Sequence, residues 1–119
     1  MLYDHVIRYN FARNYLKKIP RNNLKILDIA CGSGYGCKIL AQAQNVKQVV
    51  GVDIAKESID YAKLHYSDKK NKFKKGDGLC LKERENYFDV IVSFETIEHL
   101  EKDMVFLQNL KKVLKKMVF

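Results

Sequence analysis

A short apolar strand that runs directly into three alternating glycines is the feature that most constrains the fold of this chain. Residues 26–36 read ILDIACGSGYG, with Asp28 four residues before the first glycine. A nearly continuous apolar run is typical of a parallel strand that is buried on both faces. Gly32, Gly34 and Gly36 allow a sharp turn that leaves room for a ligand against the backbone, and a helical pattern follows. The sequence therefore predicts a cofactor-binding turn between a buried strand and a helix.

The spacing of the glycines disfavours a nicotinamide or flavin dinucleotide. The dinucleotide fingerprint G-x-G-x-x-G requires glycine at position 37, where this chain has Cys37. The pattern D-x-A-C-G-x-G-x-G resembles instead the first motif of the class I S-adenosylmethionine-dependent methyltransferases. This resemblance implies S-adenosyl-L-methionine as the cofactor, glycines close to its methionine part, and an acidic strand residue that orders the turn. The positions implied as cofactor-binding here are Asp28, Ala30, Cys31, Gly32 and Gly34.

A second strand is predicted over residues 48–53, QVVGVD, and ends in Asp53, which lies 21 residues after Gly32. A carboxylate at the tip of a neighbouring parallel strand can accept hydrogen bonds from the two hydroxyls of a ribose. Alternatively, Asp53 caps the helix predicted over residues 55–66; both roles are compatible, and ribose binding is favoured because strand, distance and residue type agree. In the resembled family the next residue packs against adenine, which implies that role for Ile54.

Two further strands match the resembled family in the right order. A weaker one over residues 72–77, KFKKGD, is followed by Gly78. The resemblance implies Asp77 on the adenine amino group, with Gly78 allowing the protein backbone to approach the cofactor closely. Without the resemblance, this segment is an ordinary turn. A strand over residues 88–94, FDVIVSF, resembles the start of the fourth motif, which places Phe94 beside the cofactor.

Glu95, Glu98 and His99 follow the fourth strand and would share one face if a helix begins near residue 96. Such a group can act as a general base on a substrate hydroxyl, or hold a divalent cation that lowers the pKa of that hydroxyl. Alternatively, the two carboxylates only favour a helix N-terminus. The segment resembles the E-x-x-E-H segment of small-RNA 2′-O-methyltransferases and of quinone-biosynthesis O-methyltransferases. These residues are the catalytic candidates, and the metal requirement stays open.

The spacing of apolar residues predicts an N-terminal helix over residues 3–19, which would cover the cofactor pocket. Its apolar positions, Ile7, Phe11, Tyr15 and Ile19, are four residues apart. Either Arg8 or Tyr9 contacts the cofactor carboxylate, or the helix is an amphipathic cover with solvated charges. The sequence of this segment is similar to that of bacterial methyltransferases of sugar and surface-polysaccharide biosynthesis.

Composition limits the remaining possibilities. The chain has 119 residues, is 47% apolar, and contains no stretch long enough to span a bilayer and no evident signal peptide. Its three cysteines lack C-x-x-C spacing, so reduced thiols in a cytoplasmic protein are expected. The net charge of +8 lies largely in lysine clusters at residues 69–75 and 111–116. These clusters leave a nucleic-acid partner open, but solvated faces and a small-molecule acceptor are favoured.

These observations predict a single α/β domain over residues 1–119, with a cover helix at 1–20 and a cofactor-binding core at 21–119. The resemblance implies a Rossmann-like three-layer α/β/α fold whose parallel strands are ordered 3-2-1-4. Family members continue into three more strands, so the domain is expected to be incomplete and its fourth strand to form an open edge. Either a second copy or partner chain covers that edge, or the sequence is a fragment. The expected activity is methyl transfer to a small hydroxylated acceptor such as a sugar precursor. The alternatives are a non-catalytic cofactor-binding module and an RNA or quinone O-methyltransferase.

Overall fold

The computed structural model describes residues 2–77, 86–94, 108–109 and 111–114. Three helices and four strands follow one another along this part of the chain. Helix α1 is Leu2–Lys17, strand β1 is Leu24–Ile29, and helix α2 is Tyr35–Leu40. Strand β2 is Val46–Asp53, helix α3 is Lys56–Tyr66, strand β3 is Asn71–Lys75, and strand β4 is Val90–Ser93. Residues 108–109 and 111–113 are also helical.

The four strands form one parallel sheet in the order β3-β2-β1-β4, which confirms the predicted strand order and fold class. Asp28 lies opposite Gly51 on β2 and opposite Val92 on β4, so it sits on the central strand near its carboxyl end. Parallel strands need crossover connections, and two of these contain α2 and α3. The predicted boundaries differ from the observed ones by a few residues at most strands.

Strand side chains alternate between two apolar clusters, one on each face of the sheet. On one face, α1, α2 and α3 pack through Leu16, Leu40 and Ile59 onto the side chains of Ile26 and Val49. The other face is covered in part by the 111–114 segment; its cluster contains Leu27, Ile29, Val50, Val52, Phe88, Ile91, Val113 and Leu114. Helical segments therefore lie on both faces, as a three-layer fold requires.

The N-terminal helix forms as predicted, but its buried face is not the predicted one. Ile7 is 50% and Phe11 72% exposed, and Tyr15 is also exposed. The buried face carries Tyr9 and Leu16 instead. The apolar spacing correctly predicted a helix but misplaced its contact surface, because the Tyr9 ring packs under the glycine turn and thereby sets the rotation of the helix.

The edge strands of the described sheet are β3 and β4, and only β3 carries charged side chains. Strand β3 exposes lysines at positions 72, 74 and 75, and such charges discourage further strand pairing. Lys70 belongs to the lysine cluster at residues 69–75. It donates to the carbonyls of Ala41 and Ala43, which follow the end of α2. Within the described helices, none combines the length and the apolar character that crossing a membrane requires.

Candidate functional site

The carboxyl ends of all four strands meet at one edge of the sheet, where open α/β sheets bind their ligands. Strand β1 leads into the glycine turn, β2 ends at Asp53, and β3 ends two residues before Asp77. Phe94 directly follows β4. The structure therefore brings together all the predicted cofactor residues that it describes, namely Asp28, Ala30, Cys31, Gly32, Gly34, Asp53, Ile54, Asp77 and Phe94.

Asp28 is completely buried beneath the turn. Its Oδ2 accepts hydrogen bonds from the Tyr9 hydroxyl at 2.9 Å and from the Cys37 thiol at 3.3 Å. Its Oδ1 has no hydrogen-bond partner among the described residues. Burial raises the pKa of Asp28 to about 7, although the two donated hydrogen bonds act in the opposite direction. Asp28 was expected to order the turn, and it does so through hydrogen bonds to Tyr9 of α1 and Cys37 of α2. With this pKa, its carboxyl group changes protonation near neutral pH.

Tyr9 and Cys37 complete this buried network. Burial, and next the negative charge of Asp28, raise the pKa of Tyr9 far above its ordinary value, so the hydroxyl stays protonated and donates. Contact with the Cys31 thiol, and next burial, raise the pKa of Cys37. The Tyr9 ring also makes an edge contact with Phe94 at 5.0 Å between centroids. Since the Tyr9 hydroxyl is engaged by Asp28, the structure favours a structural role over the considered contact with the cofactor carboxylate.

The three glycines of the turn serve different purposes. Gly32 has a φ of +59°, and a Cβ there would meet nothing within 4 Å. At Gly34, with φ +96°, a Cβ would lie 2.8 Å from the Ala62 side chain, and at Gly36 it would overlap the Tyr9 ring. Room for a ligand, which the sequence suggested for all three, is therefore found only at Gly32. The other two glycines are required by internal packing.

Ala30 and Cys31 connect β1 to the turn. Ala30 has a φ of +62°, a left-handed conformation that costs a non-glycine residue about 1 kcal/mol. Cys31 is buried, and its N–H donates to the carbonyl of Val52 at 3.0 Å. Gly51 makes room for the thiols of Cys31 and Cys37, because a Cβ at Gly51 would lie 2.9 Å from each of the two sulfur atoms. The backbone around the turn is thus fixed by packing with β2.

Asp53 ties the outer part of the turn to β2. Its Oδ2 accepts the N–H of Gly32 at 2.8 Å, and its Oδ1 accepts the N–H of Ala55 at 2.9 Å. The bond to Ala55 forms a turn before α3, but the helix-capping role considered for Asp53 is not observed, because the N-cap residue is Ala55 and no described side chain caps the helix. Asp53 is half-buried, and the neighbouring Ile54 is 63% exposed. A carboxylate with further lone pairs and an exposed apolar side chain lie side by side at this rim.

Asp77 and Phe94 lie on either side of these residues. Asp77 is exposed beyond β3, next to Gly76, whose N–H donates to the carbonyl of Asp53 at 3.0 Å. Phe94 lies at the other end of the row and lines an apolar cavity of about 170 Å³ between α1 and β4. The other residues that line this cavity are Phe11, Ala12, Tyr15, Leu16, Val90, Val92 and Ser93.

The catalytic candidates Glu95, Glu98 and His99, and the cofactor candidate Gly78, lie outside the described residues. Their roles therefore stay predictions. Across the ranges that the structure does describe, no three His, Cys, Asp or Glu side chains are grouped as metal ligands would be. The roles of Tyr9 and Cys37 beneath the turn could not be predicted from the sequence, because no regular spacing of residues marks either role.

Comparison with known proteins identifies relatives over most of this chain. The profile of a family described as a methyltransferase domain matches residues 27–118. The ubiquinone biosynthesis O-methyltransferase of Bartonella quintana is 36% identical over 107 residues, which are 88% of this chain and 42% of that protein. The enzyme of the same name from Pelagibacter ubique is 35% identical over 99 residues, 82% of this chain and 40% of its own length. The chain thus spans less than half the length of these relatives.

Solved structures give the same fold. An S-adenosylmethionine-dependent methyltransferase from Mesorhizobium loti superposes with a TM-score of 0.71 at 20% identity. The superposition covers 87% of this chain and 46% of that one. At this level of identity the likeness establishes the fold alone.

Proposed function

Because the chain belongs to the family of methyltransferase domains, we propose that it binds S-adenosyl-L-methionine and forms the cofactor-binding part of an O-methyltransferase. One observation carries this proposal. The carboxylate of Asp53 holds the N–H of Gly32 at 2.8 Å, so an acidic strand tip and a turn that opens on free space face the same edge. Such an edge suits a ligand that carries both a ribose and a charged amino-acid end.

The described residues fit the parts of this cofactor. Asp53 retains lone pairs for the ribose hydroxyls, since each carboxylate oxygen accepts one hydrogen bond from the described residues. Ile54 is exposed and offers an apolar surface for the adenine ring. Asp77 is the predicted partner of the adenine amino group, and Gly32 leaves room for the methionine part.

When bound, the cofactor supplies an electrophilic methyl group on a sulfonium sulfur. The residues of this chain hold and orient it, and orientation accounts for much of the rate in such transfers. Phe94 and the apolar cavity beside β4 would exclude water from the reacting end. Glu95, Glu98 and His99 remain the candidates for removing a proton from the acceptor.

For the acceptor we propose an oxygen atom of a quinone precursor. The relatives that support this are named for ubiquinone biosynthesis and are 36% and 35% identical. The sequence analysis gave preference to a sugar-type acceptor and kept the quinone as an alternative. The sugar-type acceptor and the quinone precursor both belong to the class of small hydroxylated molecules.

Binding of S-adenosylhomocysteine, the neutral product of the cofactor, tests this function. Calorimetric titration of the purified chain should give saturable binding with one site per chain, whereas nicotinamide dinucleotide should give no heat of binding. The reverse preference would contradict the proposal and revive the oxidoreductase reading that Cys37 disfavours. Measurable affinity without methyl transfer to any phenolic acceptor would support the second candidate, a non-catalytic binding module.

We also propose that further polypeptide, either a partner chain or a second copy, covers β4. Strand β4 is an edge strand of the described sheet. Phe11, which lines the cavity beside β4, is 72% exposed. Apolar side chains beside a sheet edge are typical of an association surface. Sedimentation equilibrium should detect self-association that Phe11→Ser weakens; a chain that is monomeric with or without this substitution would exclude the second copy.

A further inference from the structure

The carboxyl group of Asp28 is the only described acid that is completely buried at the cofactor edge of the sheet. It lies on β1 on the same face as Ile26, between Tyr9 of α1 and Cys37 of α2. Both donors use Oδ2, which leaves Oδ1 buried without a partner among the described residues. An ionised carboxylate that is only half satisfied in an apolar environment is unfavourable, so the site favours a proton on Asp28 or a positive charge nearby.

We propose that Asp28 couples cofactor binding to proton release, being protonated in the free protein and ionised once a cationic cofactor occupies the glycine turn above it. This inference rests on the proposed function. S-adenosyl-L-methionine carries two positive groups, an ammonium and a sulfonium, and either one stabilises a nearby carboxylate. The coupling is electrostatic, because Oδ1 is closed off from solvent and from direct contact.

The described groups that shift the pKa of Asp28 come from α1, α2 and β2, whereas its neighbour on β4 is Val92. Tyr9 from α1 and Cys37 from α2 donate to the carboxylate and favour its ionised form. Asp53 at the end of β2 acts in the opposite direction through its negative charge. Burial, and next the charge of Asp28, raises the pKa of Tyr35, which stays neutral beside the network. Within the described part of the chain no cation faces Asp28, so an arriving positive charge has no competitor there.

The sign of the pH dependence follows from this arrangement. Burial raises the pKa of Asp28 to about 7 in the free protein, and a bound cation lowers it. Below pH 7, binding must therefore expel a proton, and affinity must increase with pH. Above about pH 8 the carboxyl is already ionised, so Asp28 no longer contributes to a change in affinity. Between pH 6 and pH 8 the affinity should increase by up to about tenfold.

Calorimetry of S-adenosyl-L-methionine binding, in two buffers with different ionisation enthalpies, measures the released protons directly. Up to one proton per site is expected near pH 6, and none above pH 8. The amino group of the ligand also titrates in this range, with an ordinary pKa of about 8 for an α-amino group. The informative quantity is therefore the difference between the wild type and Asp28→Asn, in which the release should be lost. A parallel titration with S-adenosylhomocysteine, which lacks the sulfonium, identifies the charge responsible: release with both ligands assigns the ammonium, and release with S-adenosyl-L-methionine alone assigns the sulfonium.

Two further variants keep the test decisive if Asp28→Asn folds poorly. Tyr9→Phe removes one donor but leaves the carboxyl in place, so the midpoint of proton release should move to higher pH by about one unit. Asp89→Asn is the matched control, because Asp89 is also buried but accepts the N–H of Lys25 at the opposite ends of the strands. It should leave the proton count unchanged.

Equal heats in both buffers at every pH, after correction for the ligand, would overturn the inference while leaving cofactor binding established. A midpoint unaffected by Tyr9→Phe would also overturn it. Absence of binding by either ligand at any pH would instead remove the proposed function itself, and this inference with it.

Discussion

The inner and outer parts of the glycine turn differ in almost every physical respect. We define the inner layer as Tyr9, Asp28, Gly36 and Cys37, and the outer rim as Gly32, Asp53 and Ile54. The inner layer is buried and hydrogen-bonded to itself, whereas the rim is partly exposed and opens on free space. One motif of nine residues therefore has two tasks. Its inner positions fix α1 and α2 on the sheet, and its rim is available to a ligand.

Gly36→Ala should give the largest effect, because it inserts a methyl group into the inner layer. Its Cβ would overlap the Tyr9 ring, so α1 must shift or Tyr9 must release Asp28. Overpacking of this kind should lower the free energy of unfolding by about 3 kcal/mol, as measured by urea denaturation.

Gly32→Ala is the matched control for this substitution on the rim. No atom lies within 4 Å of a Cβ at Gly32, so only its φ of +59° opposes alanine, at a cost of about 1 kcal/mol. Equal destabilisation by the two substitutions would break the distinction between the inner layer and the rim.

Asp53→Ala should have the next largest effect, and it should act mainly on binding. Loss of charge-assisted hydrogen bonds to a ribose is expected to weaken S-adenosylhomocysteine by about 1–3 kcal/mol in calorimetry. Part of this loss comes from releasing the N–H of Gly32, which Asp53 holds. Asp53→Asn keeps an acceptor for that N–H and should bind with intermediate affinity.

Asp60→Ala serves as its control. Asp60 is an exposed carboxylate on α3 that pairs with Lys56 at 2.7 Å, away from the strand tips. Exposed pairs of this kind contribute little, so the affinity for S-adenosylhomocysteine should not change. Unchanged affinity in Asp53→Ala as well would count against the ribose role of the rim.

The sequence predicted the rim better than the inner layer, for a physical reason. Strand patterns and the distance from Gly32 to Asp53 are local signals, and they correctly predicted the strand tips that meet. The order of the four parallel strands, which the family resemblance implied, is also confirmed. The inner layer depends on the rotation of α1 about its axis. Apolar spacing suggested the face with Phe11, yet Tyr9 is the buried residue, because a tyrosine can both fill apolar space and donate to Asp28.

The glycines show the same limit. Spacing alone assigned all three to ligand access, whereas the neighbours that exclude a side chain at Gly34 and Gly36 come from α3, β3 and α1. Contacts between elements distant in sequence leave no pattern in one chain. The roles of Glu95, Glu98 and His99 depend on residues beyond the described part, so they remain predictions.

The smallest effect is expected at the junction between the two parts, from Ala30→Gly. Ala30 adopts a φ of +62°, which glycine accepts without strain. Relief of that strain is partly offset by the greater freedom of glycine in the unfolded chain, so a net gain of at most about 0.5 kcal/mol is expected in urea denaturation. Ala41→Gly is the control, because Ala41 has a right-handed φ of −68°, where the same substitution should destabilise. If Ala30→Gly also destabilises, the strain at this junction is compensated by packing of the Ala30 methyl group, and the boundary of the inner layer must be extended to include it.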